Sequence, residues 1–384
     1  MKRALKFFLF FALSASFIFA IVIGFNYSAF KTLFANNDGM RDGYEYIEST
    51  YSLKALTEFI GDHPEYMSVV SFNVNDPDSG IYYNADMPRT MGTLANFLLI
   101  LEYERQVETR ELNPNKLLTD INEIERFVLP EISGESHRKS FEILGAKDES
   151  SITLDQLVST MASTNDLAIA DYLWFKLGGQ NIQTLMDSLY LESTEMPLPY
   201  SGLYLSIHPD VTDTSQLVSK SKVISLAERL NNEPEFVEEI KALFDDVRLN
   251  LSFIEERDAL EHFPHTTPRE IAGLMAKLNN NELLSPEISE RVKEKMKWVY
   301  EGEAIKRSFS EYGAIYDNRM GMLSGIDFGT SKYDGHTSAQ AVFFDKLPVA
   351  FWLHLSSNHM QEDYQQRLIW DPALYESTLK EISE

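Results

Sequence analysis

A chain of 384 residues, 44% apolar and 12% aromatic, is long and hydrophobic enough for two core-forming units, or for one large domain plus an anchor, which excludes a disordered polypeptide. No cysteine is present, so disulfides, zinc–thiolate centres and cysteine nucleophiles are excluded. The net charge is −25, and because the first 40 residues hold four basic side chains and one acidic, the remainder carries 30 basic against 58 acidic residues; that sign speaks against nucleic acid and anionic lipid surfaces as partners and for a solvating acidic surface.

Lys2, Arg3 and Lys6 precede an apolar run from Phe7 to Phe25. As a helix the run would extend about 28 Å, close to the hydrocarbon thickness of a bilayer. Residues 1–25 therefore predict a single-pass anchor, with the basic flank in the cytoplasm and the remainder in the periplasm or outside. The alternative is secretion after signal cleavage, although signal peptides have a shorter apolar core and a small-x-small site, whereas here Asn26-Tyr27 follows. Residues 26–50 are polar, contain Asn36-Asn37-Asp38-Gly39, and read as a tether to a domain spanning 51–384.

In the domain, Leu53, Leu56 and Ile60 recur at helical spacing. Val69 to Val74 and Ile81-Tyr82-Tyr83 read as strands on either side of an Asp-Pro-Asp-Ser-Gly turn. Helices follow: Leu94 to Tyr103, a stretch marked by Leu154, Leu157, Val158 and Met161, and Ala168 to Leu177, which Gly178-Gly179 ends. Thr267-Pro268-Arg269-Glu270 is a helix start with its cap, first-turn proline and glutamate in place. Ser338 to Phe344 and Val349 to Leu355 predict a hairpin, and Leu374 to Ile382 a last amphipathic helix. The order predicts an α+β fold in which an antiparallel sheet carries both chain ends and packs on an inserted all-helical part, residues 90–310 or thereabouts.

Together with several local sequences, this order resembles the class A β-lactamase and penicillin-binding serine hydrolase family across residues 50 to 384. The segment Asn84 to Thr93, running into an apolar helix, stands where the family carries S-x-x-K; Ser163-Thr164-Asn165 matches its S-D-N or S-x-N; Leu323-Ser324-Gly325 stands for K-T-G; and Thr266 to Pro286 is similar to its two-threonine-proline helix. The resemblance implies a β-lactamase/transpeptidase-like fold and a hydrolase of amide or ester bonds, β-lactam or peptidoglycan-related. It also assigns catalytic positions to Thr93 (nucleophile), Asn96 (motif lysine), Ser163 and Asn165, and ligand-binding ones to Leu323, Ser324 and Gly325.

Acyl transfer from a hydroxyl needs a base beside it. Asn96 cannot take a proton, the Thr93 methyl crowds the path of attack, and Leu323 offers an anionic substrate no cation; Arg319 is the nearest one. Class A members also use a loop glutamate acting through water, for which Glu192 and Glu195 stand in the corresponding stretch. Asn96 is expected to hydrogen-bond Ser163 or Asn165. The expected function is a catalytically impaired, membrane-anchored domain that binds an envelope small molecule or protein; the alternatives are a hydrolase using Thr93 with a base such as Glu195, and a pure scaffold. His262, His265 and Glu261 lack H-E-x-x-H spacing, and His354 and His359 read as ordinary strand-end histidines, so no metal site is expected. With no Walker or dinucleotide fingerprint in the chain, no cofactor is expected either.

Overall fold

The computed structural model describes residues 36–145, 152–212, 219–244, 251–297, 315–320 (as backbone) and 325–382. The apolar run 7–25, residues 26–35, Leu323 and Ser324 lie outside them. Among the described residues no helix is long and apolar enough to cross a membrane.

The chain enters through α1 (Tyr44–Ser49) and α2 (Leu53–Asp62), the second capped by the Ser52 side chain on Ala55 N. Strands β1 (Met67–Asn73) and β2 (Asp76–Tyr83) form a hairpin with a bulge between Ser71 and Asn73. After the short β3 (Arg89–Thr90) and a 3-10 turn, the helical part runs through α3 (Ala95–Glu108), α4 (Pro130–Leu144), α5 (Leu154–Thr164), α6 (Leu167–Leu177), α7 (Gly179–Leu189), α8 (Tyr200–Ile207), α9 (Lys220–Asn232), α10 (Pro234–Leu243) and α11 (Phe253–Ala259). Strand β4 (His265–Thr266) pairs with β3, and α12 (Pro268–Asn279) and α13 (Pro286–Lys295) follow. Then come β5 (Ile315–Met320), β6 (Gly325–Tyr333), β7 (His336–Phe344), α14 (Val349–Ser357), α15 (Met360–Trp370) and α16 (Pro372–Glu381).

The five-stranded antiparallel sheet has the order β2-β1-β7-β6-β5, so the first strand of the chain lies beside the last. Its centre is buried on both faces. From β1, Val70 and Phe72 turn toward the helical part, where Leu98, Leu101, Met161, Leu173, Tyr204, Ile326 and Phe328 form one core. Met67 and Val69 turn the other way, onto Leu56, Phe344, Phe351 and Tyr364. Double burial explains why β1 reads as a continuous apolar run, and each such Leu, Val or Phe contributes about 1.5–3 kcal/mol.

Three expectations change, the first at Asp76 to Gly80, which open β2 while the turn falls at Val74-Asn75. Val349 to Leu355 is the helix α14, opened by Pro348; β7 forms its hairpin with β6 instead, through Asp334 and Gly335, both at positive φ (47° and 78°). Residues 36–50, read as tether, are folded onto the domain. The Asp42 carboxylate accepts from Val349 N (3.1 Å) and pairs with Arg257 (2.7 Å), and Tyr46 packs edge-on against Phe59 and Phe351.

Candidate functional site

The turn Gly92–Leu94 delivers Thr93 to the start of α3, beside β5. Gly92 sits at φ +53°, and a Cβ there would stand 3.0 Å from Ile326 Cδ1, so backbone conformation and contact both favour glycine. Leu94, not Thr93, is the helix-cap residue. Thr93 and Asn96 are 5% and 3% exposed, and Phe97 on the next position meets Phe328 of β6 (ring centroids 6.2 Å apart).

The group that meets Asn96 is one the sequence reading missed. Tyr200, first residue of α8, shares its hydroxyl proton between Asn96 Oδ1 and Gly92 O, 3.1 Å each. The Asn96 amide nitrogen is buried without a partner, so the expected bond to Ser163 or Asn165 is not made. Tyr200 is held in turn by Asp171, a fully buried carboxylate on α6 that accepts from Tyr200 N (2.6 Å) and Ser201 N (2.8 Å). Burial pushes the Asp171 pKa up to about 7 against the pull of those N–H groups. Burial, with the Asp171 charge behind it, lifts the Tyr200 hydroxyl well above its ordinary value. The phenol therefore stays a donor at any physiological pH.

Ser163-Thr164-Asn165 closes α5, which packs against α3. Ser163 Oγ is turned back onto Thr160 O (2.9 Å), and Asn165 adopts the left-handed conformation that ends the helix. Helix α6 is capped by the next residue, Asp166, whose Oδ1 accepts from Ala168 N and Ile169 N while Oδ2 meets His137 Nδ1 at 3.0 Å.

Glu195 is occupied elsewhere. Its Oε2 accepts from His265 N (3.0 Å), its own N–H donates to His265 O, and Lys220 lies 3.2 Å from Oε1. Burial opposes its charge, but the His265 N–H and the Lys220 ammonium outweigh that and hold the pKa below the ordinary value. Its hydrogen bonds tie the loop to β4 at the seam of the two halves; Glu192 is exposed. Gly325 opens β6, its carbonyl accepting from Gln361 of α15; a Cβ there would collide with Gln361 and Phe344. That is the sheet face turned away from Thr93, so Gly325 does not join the cluster. Among the described residues no group of three or more His, Asp or Glu could hold a metal ion.

What converges is Asn96, Tyr200 and the carbonyl of Gly92, the residue before Thr93, braced by Asp171. The signal for Tyr200 was not local, since 104 residues separate it from Asn96. Chemically the cluster presents hydrogen-bond donors and acceptors, while Asn96 and the protonated Tyr200 have no capacity to accept a proton.

The model of the β-lactamase enzyme family matches residues 52–348. Similar solved structures include a β-lactamase from Chitinophaga pinensis, with a TM-score of 0.54, 13% identity and coverage of 84% of this chain and 99% of that one. One from Sphaerobacter thermophilus gives 0.53, 14%, 86% and 98%, and one from Burkholderia vietnamiensis 0.52, 12%, 84% and 98%, in the same order. At such identities the likeness is one of fold. No curated protein matches the chain in sequence.

Proposed function

The chain belongs to the β-lactamase enzyme family, and on that premise we propose that it keeps the family's fold without its acyl-transfer chemistry. It acts as an envelope domain that binds a small molecule or protein partner, anchored by residues 7–25 with the domain in the periplasm or outside. One observation carries this reading. The position of the family's motif lysine is held by Asn96, whose Oδ1 accepts from a tyrosine hydroxyl kept in its protonated form, and neither an amide nor a protonated phenol can take the lysine's part in accepting a proton. Glu195, the carboxylate proposed as a substitute base, is already bonded to His265 N and Lys220.

The test exposes the full chain, in detergent, to a fluorescent penicillin and an ester reporter, with covalent mass read on the intact protein. No adduct is expected on the natural chain, and peptidoglycan fragments should raise its Tm without labelling. The variant Thr93→Ser/Asn96→Lys/Leu323→Lys tests whether the cleft has lost only its reactive groups. An adduct on the natural chain that maps to Thr93 and vanishes in Thr93→Ala overturns the reading in favour of an active hydrolase.

A further inference from the structure

A cavity of about 220 Å³ lies between α11, the end of β7 and α14. Phe253, Leu260, Leu347, Val349, Trp352 and Leu353 give it an apolar lining. Three carboxylates, Glu256, Glu261 and Asp345, stand in its wall against two cations, Arg257 and Lys346. Both cations are already paired, Arg257 with Asp42 and Asp258, Lys346 with Glu261 at 3.2 Å. Among the described residues of the wall both cations are already held by carboxylates, so the apolar lining is what a ligand meets, and it favours an apolar one.

The path of the chain says where that ligand comes from. Asn36 Oδ1 accepts from Phe253 N, and Gly39 packs so closely that a Cβ there would lie 3.6 Å from both Phe253 Cβ and Val349 Cγ1. Asp42 then bonds Val349 N and Arg257. The docked segment thus runs over two walls of the cavity, and only residues 26–35 separate it from the apolar run that ends at Phe25. Ten residues reach at most about 36 Å, so an anchor at 7–25 would keep this face of the domain within that distance of the bilayer. Met40 and Tyr44 on the same segment, and Tyr51 just after it, are exposed at 39%, 55% and 73%, and tyrosine is favoured at the membrane–water interface.

We propose that this cavity is a binding site for the uncharged acyl chain of a membrane lipid, presented to the bilayer by the docked segment 36–50; the inference rests on the membrane-anchoring part of the proposed function. Its wall includes Thr90, whose hydroxyl donates to Asp345 Oδ1 (3.3 Å) and which lies three residues before Thr93. An occupant therefore touches the strand that delivers the cleft's central residue.

The test places the photo-crosslinker benzoylphenylalanine at Leu353 in the full chain, in phosphatidylcholine vesicles, and a second probe at Phe17 in the apolar run. Irradiation should give a phosphatidylcholine adduct at position 353, reduced at least tenfold when Phe253→Trp fills the cavity in a chain whose Tm stays close to that of the parent. Crosslinks from position 353 to residues 26–35 or to a second copy of the chain overturn the proposal, as does an adduct that Phe253→Trp leaves unchanged. If the Phe17 probe finds lipid and the Leu353 probe does not, the anchor stands and the cavity site falls. If Phe17 finds none, the anchoring falls with the supply of lipid it provided, and the proposal with it.

Discussion

Two charge-bearing side chains are buried in different parts of the molecule, Arg89 on β3 and Asp171 on α6, and neither has an ion-pair partner among the described residues. Arg89, on the sheet side, is 3% exposed; its guanidinium donates to Ser68 Oγ (3.0 Å), Glu65 O (2.5 Å), Pro64 O (3.2 Å) and Met67 O (2.7 Å). Asp171, on the helical side, is 1% exposed and answered by two backbone N–H groups. Both replace hydration by fixed peptide dipoles, which is how an unpaired charge survives burial. The difference lies in titration. Burial lowers the Arg89 pKa, yet a guanidinium stays charged, whereas Asp171 is brought to about 7. The sheet side of the seam is thus locked at all pH, and the helical side, which carries Tyr200, is tied to a group that titrates near neutrality.

The largest loss of stability from a single substitution is expected from breaking the locked side. Arg89→Met leaves Glu65 O without its donor, while Asn84 Nδ2 still serves Pro64 O and Met67 O (2.8 and 3.0 Å); a loss of about 2–4 kcal/mol in urea unfolding, equal at pH 5 and pH 8, is expected. Next, Asp171→Asn should flatten the pH dependence of stability. The folded pKa lies above the unfolded value of about 3.9, so the native state holds a proton the unfolded state has lost. The wild type therefore loses stability as pH rises from about 4 to 7, by about 1.4 kcal/mol for each pH unit between the two pKa values. Parallel pH profiles for wild type and variant would refute the assignment. Tyr200→Phe should cost about 1–2 kcal/mol, because Asn96 Oδ1 and Gly92 O lose a donor together. The smallest change is expected from Glu195→Gln, below about 1 kcal/mol for a carboxylate 40% exposed; ester turnover found in the natural chain and lost in this variant would make Glu195 a base after all.

Much of the fold was legible because its elements are periodic. Leu53, Leu56 and Ile60 mark α2, and Thr267-Pro268 starts α12 with the threonine cap on Glu270 N that the sequence predicts. The miss at Val349 to Leu355 has a physical cause: a short run apolar all round serves a buried helix as well as a buried strand. The Asp334-Gly335 pair, a strong hairpin signal, marked the true partner of β7 and went unread. The tether was misjudged because Asp42 is polar by composition, while its bonds to Arg257 and Val349 N become visible only when residues more than 200 positions away are brought beside it.

By itself the sequence determined which side chains stand at the aligned motif, since Thr93 and Asn96 are local identities that no packing can alter. It also determined the order of strands and helices, which follows from hydrophobic period. Only the tertiary structure decided that Tyr200 rather than a glutamate meets Asn96, that Glu195 is bound to the β4 backbone, and that Gly325 faces away from Thr93. Those outcomes depend on which side chains long loops bring within 3 Å of each other, and on how deeply burial displaces the charge of a group such as Asp171. Both are properties of the packed molecule, set by contacts between residues far apart along the chain.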